Sequence, residues 1–402
     1  MSDEQRYLEA LVELAVGFGA EVQPDQIVMV LAETGLEAYA RAAARHAYRR
    51  GARYVDVEYF DPHVKHARLA HAAKESLSYR PPWIGERILQ GGEHHAAKIW
   101  FYGDTAPDLM SDIDPERLGL DMSPRHRESI QVTSARQCNW TIVPAVTPAW
   151  ARSVFDDRTE PEAITAMWKT IAHVCRLGEP DPVAAWTQRF ATLKAVARRL
   201  DALDLDVLRF QGPGTDLTIG LLPGSRFIAA EMETVWGQLH HPNLPSEEVF
   251  TTPDPERTQG YVTATRPLLV PGAAPVTGLR VHFEHGRAVR FDSDSGGGVL
   301  EAQANRDDGG RRLGEVALVD RESRVGQAGK VFHNILLDEN AASHIALGNG
   351  YPMALADEAS RERMNRSEIH VDFMIGSDEV DVTGVTRGGE TRPLLRGGAW
   401  QI

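Results

Sequence analysis

Histidine and aspartate stand two residues apart in the segment "IHVDFMIGS" at residues 369–377. The apolar residues around them predict a strand, in which His370 and Asp372 point to one face and Val371 and Phe373 to the other. An imidazole and a carboxylate held a few ångströms apart are ligands that suit a divalent metal ion. The segment therefore indicates a metal site, provided that other ligands converge on it.

Three other segments in the C-terminal half carry residues of matching chemistry. Glu247 and Glu248 follow a turn rich in proline and precede a short apolar pair. Glu315 lies in a strand-like apolar run, where a carboxylate is costly to bury unless it is paired or bound to a metal. His344 follows a run of small residues, and Tyr351 lies seven positions further on.

Each feature also has an ordinary structural explanation. A glutamate in a strand can face solvent or pair with an arginine, and a single histidine can be a hydrogen-bonded core residue. Together the segments favour one site, because all of them lie in the same half of the chain and offer only oxygen and nitrogen donors. Such donors suit Zn, Co or Mn with an activated water molecule.

Composition limits the class of protein. A chain of 402 residues with 42% hydrophobic and 25% charged residues predicts a globular protein of about two domains. The formal net charge of −14 argues against nucleic acid as a partner. No apolar run approaches the ~20 residues of a membrane helix, and the acidic N-terminus is unlike a signal peptide, so we expect a cytoplasmic protein without a membrane partner.

The two cysteines, Cys138 and Cys175, are too few for a disulfide framework or a thiolate zinc site. We expect both to be reduced in the cytoplasm. Any metal ion must therefore be held by carboxylates, imidazoles and a phenol.

Strands and helices alternate in the N-terminal half, which favours a parallel sheet with right-handed crossovers. Predicted strands lie at 26–32, 53–61, 98–104 and 140–146. This layout is Rossmann-like, but the first strand–helix passage has no G-x-G-x-x-G sequence, so we predict no dinucleotide site.

Short strands separated by Gly/Pro turns predominate after residue 200, including a hairpin with its turn at His285-Gly286. The sequence therefore predicts an α/β fold of two domains. Residues 1–200 form a Rossmann-like, doubly wound N-terminal domain. Residues 201–402 form a C-terminal α+β metal-binding catalytic domain rich in antiparallel strands.

Four segments, read in order, give the chain a specific resemblance. "NLPSEEVFT" (243–251), "LGEVALV" (313–319), "DENAASHIALGNGYP" (338–352) and "HVDFMIGS" (370–377) resemble the signature segments of the aminopeptidase T / aminopeptidase S family of metallo-aminopeptidases. The N-terminal segment "AARHAYRRGARYVDVEYFD" (43–61) is also similar to that family. The resemblance extends over nearly the whole chain.

This resemblance implies a cytosolic homodimeric exopeptidase that holds two divalent metal ions and removes N-terminal residues from peptides through a metal-activated water. Carried over position by position, it implies a set of six metal ligands. They are Glu248, Glu315, His344, Tyr351, His370 and Asp372, with Glu247 as the competing assignment for the first.

Glu315, Tyr351 and Glu339 are the expected catalytic residues. A carboxylate between two ions is a natural bridge, which favours Glu315 in that role. Glu339 is a candidate general base, although the sequence "DEN" that contains it could instead cap a helix beginning near Ala341 through Asp338 or Asn340. Glu315 is the other candidate, since it could carry the proton while it bridges the two ions.

Two other functions stay open on the sequence. His344, His370 and Asp372 could form the mononuclear Fe(II) site of a ring-opening dioxygenase on a related scaffold. The additional carboxylates of Glu248 and Glu315 favour two metals and hydrolysis instead. A binding protein without catalysis is disfavoured, because every expected ligand is present.

Overall fold

The computed structural model describes residues 2–121, 123–124, 126–268 and 275–402. The chain divides into two compact units, the first formed by Met1–Thr187 and Glu231–Pro245 and the second by Gln188–Ala230 and Ser246–Ile402. The predicted domain limits, 1–200 and 201–402, stay a prediction, because contacts within one chain do not test which part folds alone.

The described helices have the following bounds: α1 Asp3–Leu14, α2 Glu37–Arg49, α3 Pro62–His71, α4 Pro82–Glu93, α5 Pro115–Leu120, α6 Arg127–Ser134, α7 Pro148–Val154, α8 Glu160–Val174, α9 Pro182–Ala202, α10 Gly297–Ala304, α11 Arg324–Gln327, α12 Ile335–Asp338 and α13 Glu358–Arg363. Short 3-10 or π turns cover Ala15–Gly19, Lys74–Ser76, Glu339–Ala341 and Pro352–Ala354.

The described strands have the following bounds: β1 Ile27–Glu33, β2 Tyr54–Phe60, β3 Ala97–Tyr102, β4 Trp140–Pro144, β5 Leu205–Gly212, β6 Thr215–Leu221, β7 Met232–Glu233, β8 Leu239–His240, β9 Glu248–Thr251, β10 Pro253–Thr263, β11 Arg280–Glu284, β12 Arg287–Asp292, β13 Leu313–Val319, β14 His344–Gly348, β15 His370–Met374, β16 Asp381–Thr386, β17 Thr391–Arg396 and β18 Ala399–Trp400.

The first unit is built on a parallel sheet in the order β2-β1-β3-β4. Alternate residues of its inner strands are buried, as Val28 and Val30 are on β1 and Ile99 and Phe101 on β3. Helices join successive strands, since parallel neighbours need a crossover connection. The predicted Rossmann-like layout is therefore confirmed, with each of its four predicted strands present.

The second unit contains two antiparallel sheets. The large sheet has the order β12-β11-β10-β6-β5-β16-β17-β18, and the small sheet has the order β15-β14-β13-β9. β9 continues through Thr252 into β10, so one stretch of chain passes from the small sheet to the large one. β11 and β12 form the hairpin predicted around His285-Gly286. The predicted antiparallel character of this half is thus confirmed.

A buried histidine in the first unit makes stability depend on pH. His240 on β8 is 2% exposed, and burial lowers its pKa from 6.5 to about 4. Because the folded-state pKa lies below the unfolded value, the neutral ring contributes its full stability above pH 6.5. That contribution is lost as the pH falls from 6.5 toward 4.

Replacing this ring by an apolar one should reduce the sensitivity to acid. For His240→Phe we expect the loss in free energy of unfolding between pH 7 and pH 4.5 to be smaller than in the wild type by roughly 2 kcal/mol. Urea unfolding at several pH values measures it, with His282→Phe at a half-exposed position as the control. An equal loss in free energy of unfolding between pH 7 and pH 4.5 for His240→Phe and the wild type would contradict the prediction.

Candidate metal centre

The register of the small sheet brings distant segments onto one face. Residues paired in register share a face, and every second residue returns to it. Glu315 on β13 pairs with Ala346 on β14, which pairs in turn with Asp372 on β15. His370, two residues before Asp372, therefore lies on the same face, opposite Gly348.

Two more of the predicted ligands are placed by the same rule. His344 pairs with Ala317, and Glu248 at the start of β9 pairs with Val319. Both partners stand an even number of residues from Glu315, so these side chains also join its face. The other face carries apolar residues such as Val316 and Ile345, which are fully buried.

Small residues leave room between these polar groups. Ala317 on β13 and Ala346 on β14 lie on this face beside the charged side chains, as the partners of His344 and Glu315 in the register. Every residue of β13 and β14 is buried. The polar face is consequently shielded from bulk water, which strengthens electrostatic interactions within it.

The charged side chains form two groups that share one carboxylate. Glu248, Glu315 and His344 make up the first group, and Glu315, His370 and Asp372 the second, with the ligand atoms in each lying within 4.8 Å of one another. Nε2 of His344 is 3.1 Å from Oε2 of Glu248. Glu315 belongs to both groups, which is the position expected of a bridging carboxylate.

The second group is closed by a phenol. Nε2 of His370 lies 3.1 Å from Oε2 of Glu315 and 3.3 Å from Oδ1 of Asp372. The hydroxyl oxygen of Tyr351 is 3.2 Å from the same nitrogen. The main-chain N–H of Tyr351 donates to Oγ1 of Thr252, directly after β9, and this hydrogen bond of 2.9 Å holds the main chain of Tyr351 beside the sheet.

Main-chain carbonyl oxygens orient both imidazoles by contacting the Nδ1 side of each ring. Nδ1 of His370 lies 2.8 Å from the carbonyl oxygen of Asn349, and Nδ1 of His344 lies 3.2 Å from that of Ala342. A carbonyl can only accept, so Nδ1 carries the hydrogen and Nε2 is directed at the carboxylates. Metal-binding histidines are commonly oriented in this way.

A glycine makes one of these contacts possible. β14 ends at Gly348, whose φ of +108° lies in the region that favours glycine. A Cβ added there would lie 2.1 Å from the carbonyl oxygen of Ile369. The bare backbone lets the chain turn so that the next residue, Asn349, presents its carbonyl to His370.

Glu339 lies over the same face, in the 3-10 turn Glu339–Ala341. It lines a small cavity together with Ile335, Asp372 and Met374. Burial raises its pKa well above the ordinary value, and the charges of Asp372 and Glu248 raise it further. The structure thus brings Glu339 together with the predicted ligands.

The alternative interpretation of "DEN" as a helix cap is wrong. No helix begins near Ala341 in this described segment, because the 3-10 turn leads directly toward β14. Asp338 instead accepts main-chain hydrogen bonds from Phe332 and Asn334, at 2.8 and 3.0 Å. The side-chain oxygen of Asn340 accepts from the main-chain N–H of Glu247 at 2.6 Å.

Neighbouring glutamates at the start of β9 point in different directions. Glu248 approaches His344, whereas the fully buried Glu247 pairs with Arg189, its Oε2 lying 2.6 Å from Nε. This geometry supports Glu248 as the ligand. Strand alternation explains the separation, because consecutive side chains leave opposite faces.

Crowding of negative charge shifts the ionisation of the whole site. Burial raises the pKa of Glu315 to about 7, with Asp372 and Glu248 adding to the rise and His370 opposing it. Burial alone would lower the pKa of His344, but Glu248, Glu315 and Asp372 raise it to about 10.

The other two groups of the site respond to the same charges. The pKa of His370 is raised well above its ordinary value against the effect of burial, chiefly by Asp372 and Glu315. The pKa of Tyr351 is raised by burial and by the same carboxylates. Four carboxylates surrounding two imidazoles thus create an excess of negative charge in a buried place.

These donors fit divalent cations. Carboxylate oxygens and the Nε2 atoms of oriented imidazoles are the ligands that Zn, Co and Mn share. A cation and a proton compete for the same lone pairs, so raised pKa values mark a place where positive charge is stabilised. The shared carboxylate of Glu315 allows two such ions side by side.

Several supporting residues were missed by the sequence analysis. The carbonyls of Ala342 and Asn349 leave no signal in the sequence, because any residue type carries one. Arg189 did leave a signal, since it stands on the buried stripe of α9 that includes Leu193, Val196 and Leu200. A charged residue in an apolar helical stripe indicates a buried ion pair.

The chain is similar to known proteins along its whole length. The chain is 38% identical over 406 residues to "Aminopeptidase T" of Thermus thermophilus, covering 99% of each chain. It is 39% identical over 403 residues to "Aminopeptidase T" of Thermus aquaticus, covering 98% of each. The solved structure "Wild-type AmpT from Thermus thermophilus" superposes with a TM-score of 0.91 at 38% identity, covering 99% of both chains.

A more distant structural likeness concerns the fold alone. "Structure of 2,5-dihydroxypridine Dioxygenase from Pseudomonas putida KT2440" superposes with a TM-score of 0.54 at 12% identity, covering 99% of this chain and 96% of the other. At that identity the likeness carries no statement about chemistry.

The family assignment rests on the full-length match. Residues 4–400 match the family described as "Thermophilic metalloprotease (M29)". The predicted membership of the aminopeptidase T group and the predicted dependence on divalent metal agree with this match and with the relatives above. The chain belongs to the M29 family of thermophilic metalloproteases.

Proposed function

We propose that this protein is a metal-dependent aminopeptidase that hydrolyses the N-terminal peptide bond of its substrates. The main structural evidence is the pair of ligand groups that share Glu315 on one buried face of the small sheet. Membership of a metalloprotease family supports hydrolysis as the reaction. The names of the similar proteins support the exopeptidase character.

Two divalent ions are proposed, one for each ligand group. Glu248, Glu315 and His344 would hold one ion, and Glu315, His370 and Asp372 the other, with Tyr351 completing the second. Zn, Co and Mn all suit these donors. When bound, such ions act as Lewis acids that polarise a carbonyl group and lower the pKa of water.

Glu339 is proposed as the general base. Its carboxylate accepts the proton of the attacking water as the new C–O bond forms. It then returns that proton to the nitrogen of the leaving amine as the C–N bond breaks, so the products are a free amino acid and a shortened peptide. Its raised pKa suits a group that must both accept and release a proton.

The same acidic surroundings favour substrates with a free N-terminus. An α-ammonium group brings positive charge to a site with excess carboxylates, whereas a blocked N-terminus brings none. Ile335 and Met374 line the small cavity beside Asp372 and give it apolar walls.

The iron dioxygenase alternative fits the site less well. A mononuclear triad requires His344, His370 and Asp372 around one ion. In the structure the two imidazoles belong to different groups, each completed by a glutamate. Glu248 and Glu315 have no role in the dioxygenase hypothesis.

The cellular location and the oligomeric state are also proposals. We propose a cytoplasmic homodimer, supported by the resemblance of the chain to the aminopeptidase T group. No helix among the described residues is long and apolar enough to cross a membrane.

Chelation and restoration of metal test the proposed function. We expect amino-acid p-nitroanilides to be hydrolysed by the loaded protein, not by the stripped protein, and again after Zn, Co or Mn is added. The matched N-acetylated p-nitroanilides are the control and should stay intact, because they lack a free amine. A protein that holds about one iron and cleaves no p-nitroanilide would favour the dioxygenase.

The shared carboxylate gives a second prediction. Glu315→Gln should lower the metal content from about two ions per chain to one or fewer, because a neutral amide is a poor bridge. The same variant should unfold at a higher temperature than the wild type when both are metal-free, because it removes one of four crowded carboxylates. Elemental analysis and thermal unfolding with and without chelator measure the two effects. Retention of two ions by the variant would show that Glu315 is not the bridge.

The proposed general base, Glu339, gives a third prediction. Glu339→Gln should reduce kcat by about 10²–10⁴-fold while leaving metal content and KM near the wild-type values, because it removes proton transfer without removing a ligand. Steady-state kinetics and elemental analysis measure these quantities. Glu322→Gln, at an exposed position, is the control. An unchanged kcat in Glu339→Gln would place the base elsewhere.

A further inference from the structure

A second charged cluster lies behind β9, in the same unit as the proposed metal centre. The Arg189 guanidinium contacts two carboxylates at once. Its Nε is 2.6 Å from Oε2 of Glu247, and its Nη1 and Nη2 are 3.1 and 2.8 Å from the two oxygens of Asp320. The side chains of Arg189, Glu247 and Asp320 are 9%, 0% and 3% exposed.

Such a cluster requires an explanation, because burying three charges is costly. A buried ion pair often contributes little net stability compared with apolar residues of the same size. Its geometry, however, is highly constrained, since a planar guanidinium that serves two carboxylates has little freedom to move. The main effect of this cluster is therefore to fix the orientation of its own side chains, more than to stabilise the fold.

The C-terminus clamps the cluster from another side. Nε1 of Trp400 on β18 donates to Oδ2 of Asp320 at 2.6 Å. Main-chain N–H of Arg321 donates to the carbonyl oxygen of Gly398 at 2.8 Å. Asp320 follows β13 immediately, so these contacts tie the last strand to the end of the strand that carries Glu315.

A single peptide bond connects the cluster to the proposed metal centre. Glu247 is adjacent to Glu248, the first residue of β9. The main-chain N–H of Glu247 donates to Asn340, the residue after Glu339. Asn340 is itself fixed, because its side-chain nitrogen donates to Leu336 and its carbonyl accepts from Ser323. One anchored residue thus sets both the start of β9 and the turn that holds Glu339.

We infer that Arg189 is a positioning residue which, by fixing Glu247, orients the Glu248 carboxylate and sets the affinity of the cation held by Glu248, Glu315 and His344. This inference rests on the proposed function, since it concerns the proposed metal centre. Trp400 acts in the same direction by holding Asp320 against Arg189. Neither residue is one of the proposed ligands, and each acts through Glu247 or Asp320.

Arg189→Lys tests this role while keeping the buried positive charge. A lysine ammonium cannot serve both carboxylates in the fixed fork that the guanidinium provides. We expect one of the two Co²⁺ ions to bind about tenfold more weakly than in the wild type, as is usual when a residue supporting a metal ligand is lost. Titration calorimetry of the stripped protein with Co²⁺ measures the affinity, and the visible absorption of the bound Co²⁺ reports a changed ligand geometry.

Arg257→Lys is the matched control. Arg257 also forms a bidentate pair, at 2.9 and 2.8 Å from Asp206, within the second unit. This control should bind both Co²⁺ ions with wild-type affinity and spectrum. An equal weakening in Arg257→Lys would overturn the inference, because any lost ion pair would then suffice.

Trp400→Phe keeps the inference testable if Arg189→Lys does not fold. This variant retains a ring and removes the N–H that holds Asp320, so we expect a weakening at the same Co²⁺ site, smaller than tenfold. If Arg189→Lys folds and binds Co²⁺ with wild-type affinity and spectrum, the inference is overturned while the proposed function stands. If Arg189→Lys does not fold, the same result in Trp400→Phe overturns the inference. A wild-type protein that binds no pair of Co²⁺ ions would overturn the proposed function and this inference with it.

Discussion

Burial of excess negative charge on one face of a four-stranded sheet is the constraint on which the rest of the structure depends. Burial raises the pKa values of Glu315 and Glu339, and the nearby charges of Glu248 and Asp372 raise them further. In water such groups would separate, so the protein must hold them together. Buried strands, oriented imidazoles and anchored turns all serve that purpose, and divalent cations would supply the missing positive charge.

Much of the fold was readable from the sequence because local patterns decide it. Short apolar runs between helical segments predicted the strands of the parallel sheet, and a Gly-containing turn predicted the hairpin between β11 and β12. The convergence of Glu315, His344 and His370 was predicted from their matching chemistry and their position in one half of the chain, and the resemblance to a family implied the full ligand set. Their common face follows from strand register, which depends on pairing between segments far apart in the chain.

Other features could not be read because they depend on tertiary contacts. The sequence left Glu247 and Glu248 as rivals, and the choice between them depends on which face of β9 meets Arg189. The segment "DEN" has the composition of a helix cap, yet Asn340 is used to anchor Glu247. In both cases the deciding partner lies more than fifty residues away, beyond the reach of local propensity.

The two edge strands of the small sheet show why anchors outside the sheet matter. A central strand such as β13 is fixed on both sides by ladder hydrogen bonds, whereas β9 and β15 each pair with one neighbour in the sheet. Both edge strands carry proposed ligands, Glu248 on one and His370 on the other. A bridge between Ile228 and Phe250 restrains the outer side of β9 near its middle, but Glu248 lies at its very start. Asn349 fixes His370 through a carbonyl, and Arg189 restrains the start of β9 through Glu247. A site built on edge strands thus gains from its surroundings the rigidity that its own sheet cannot supply.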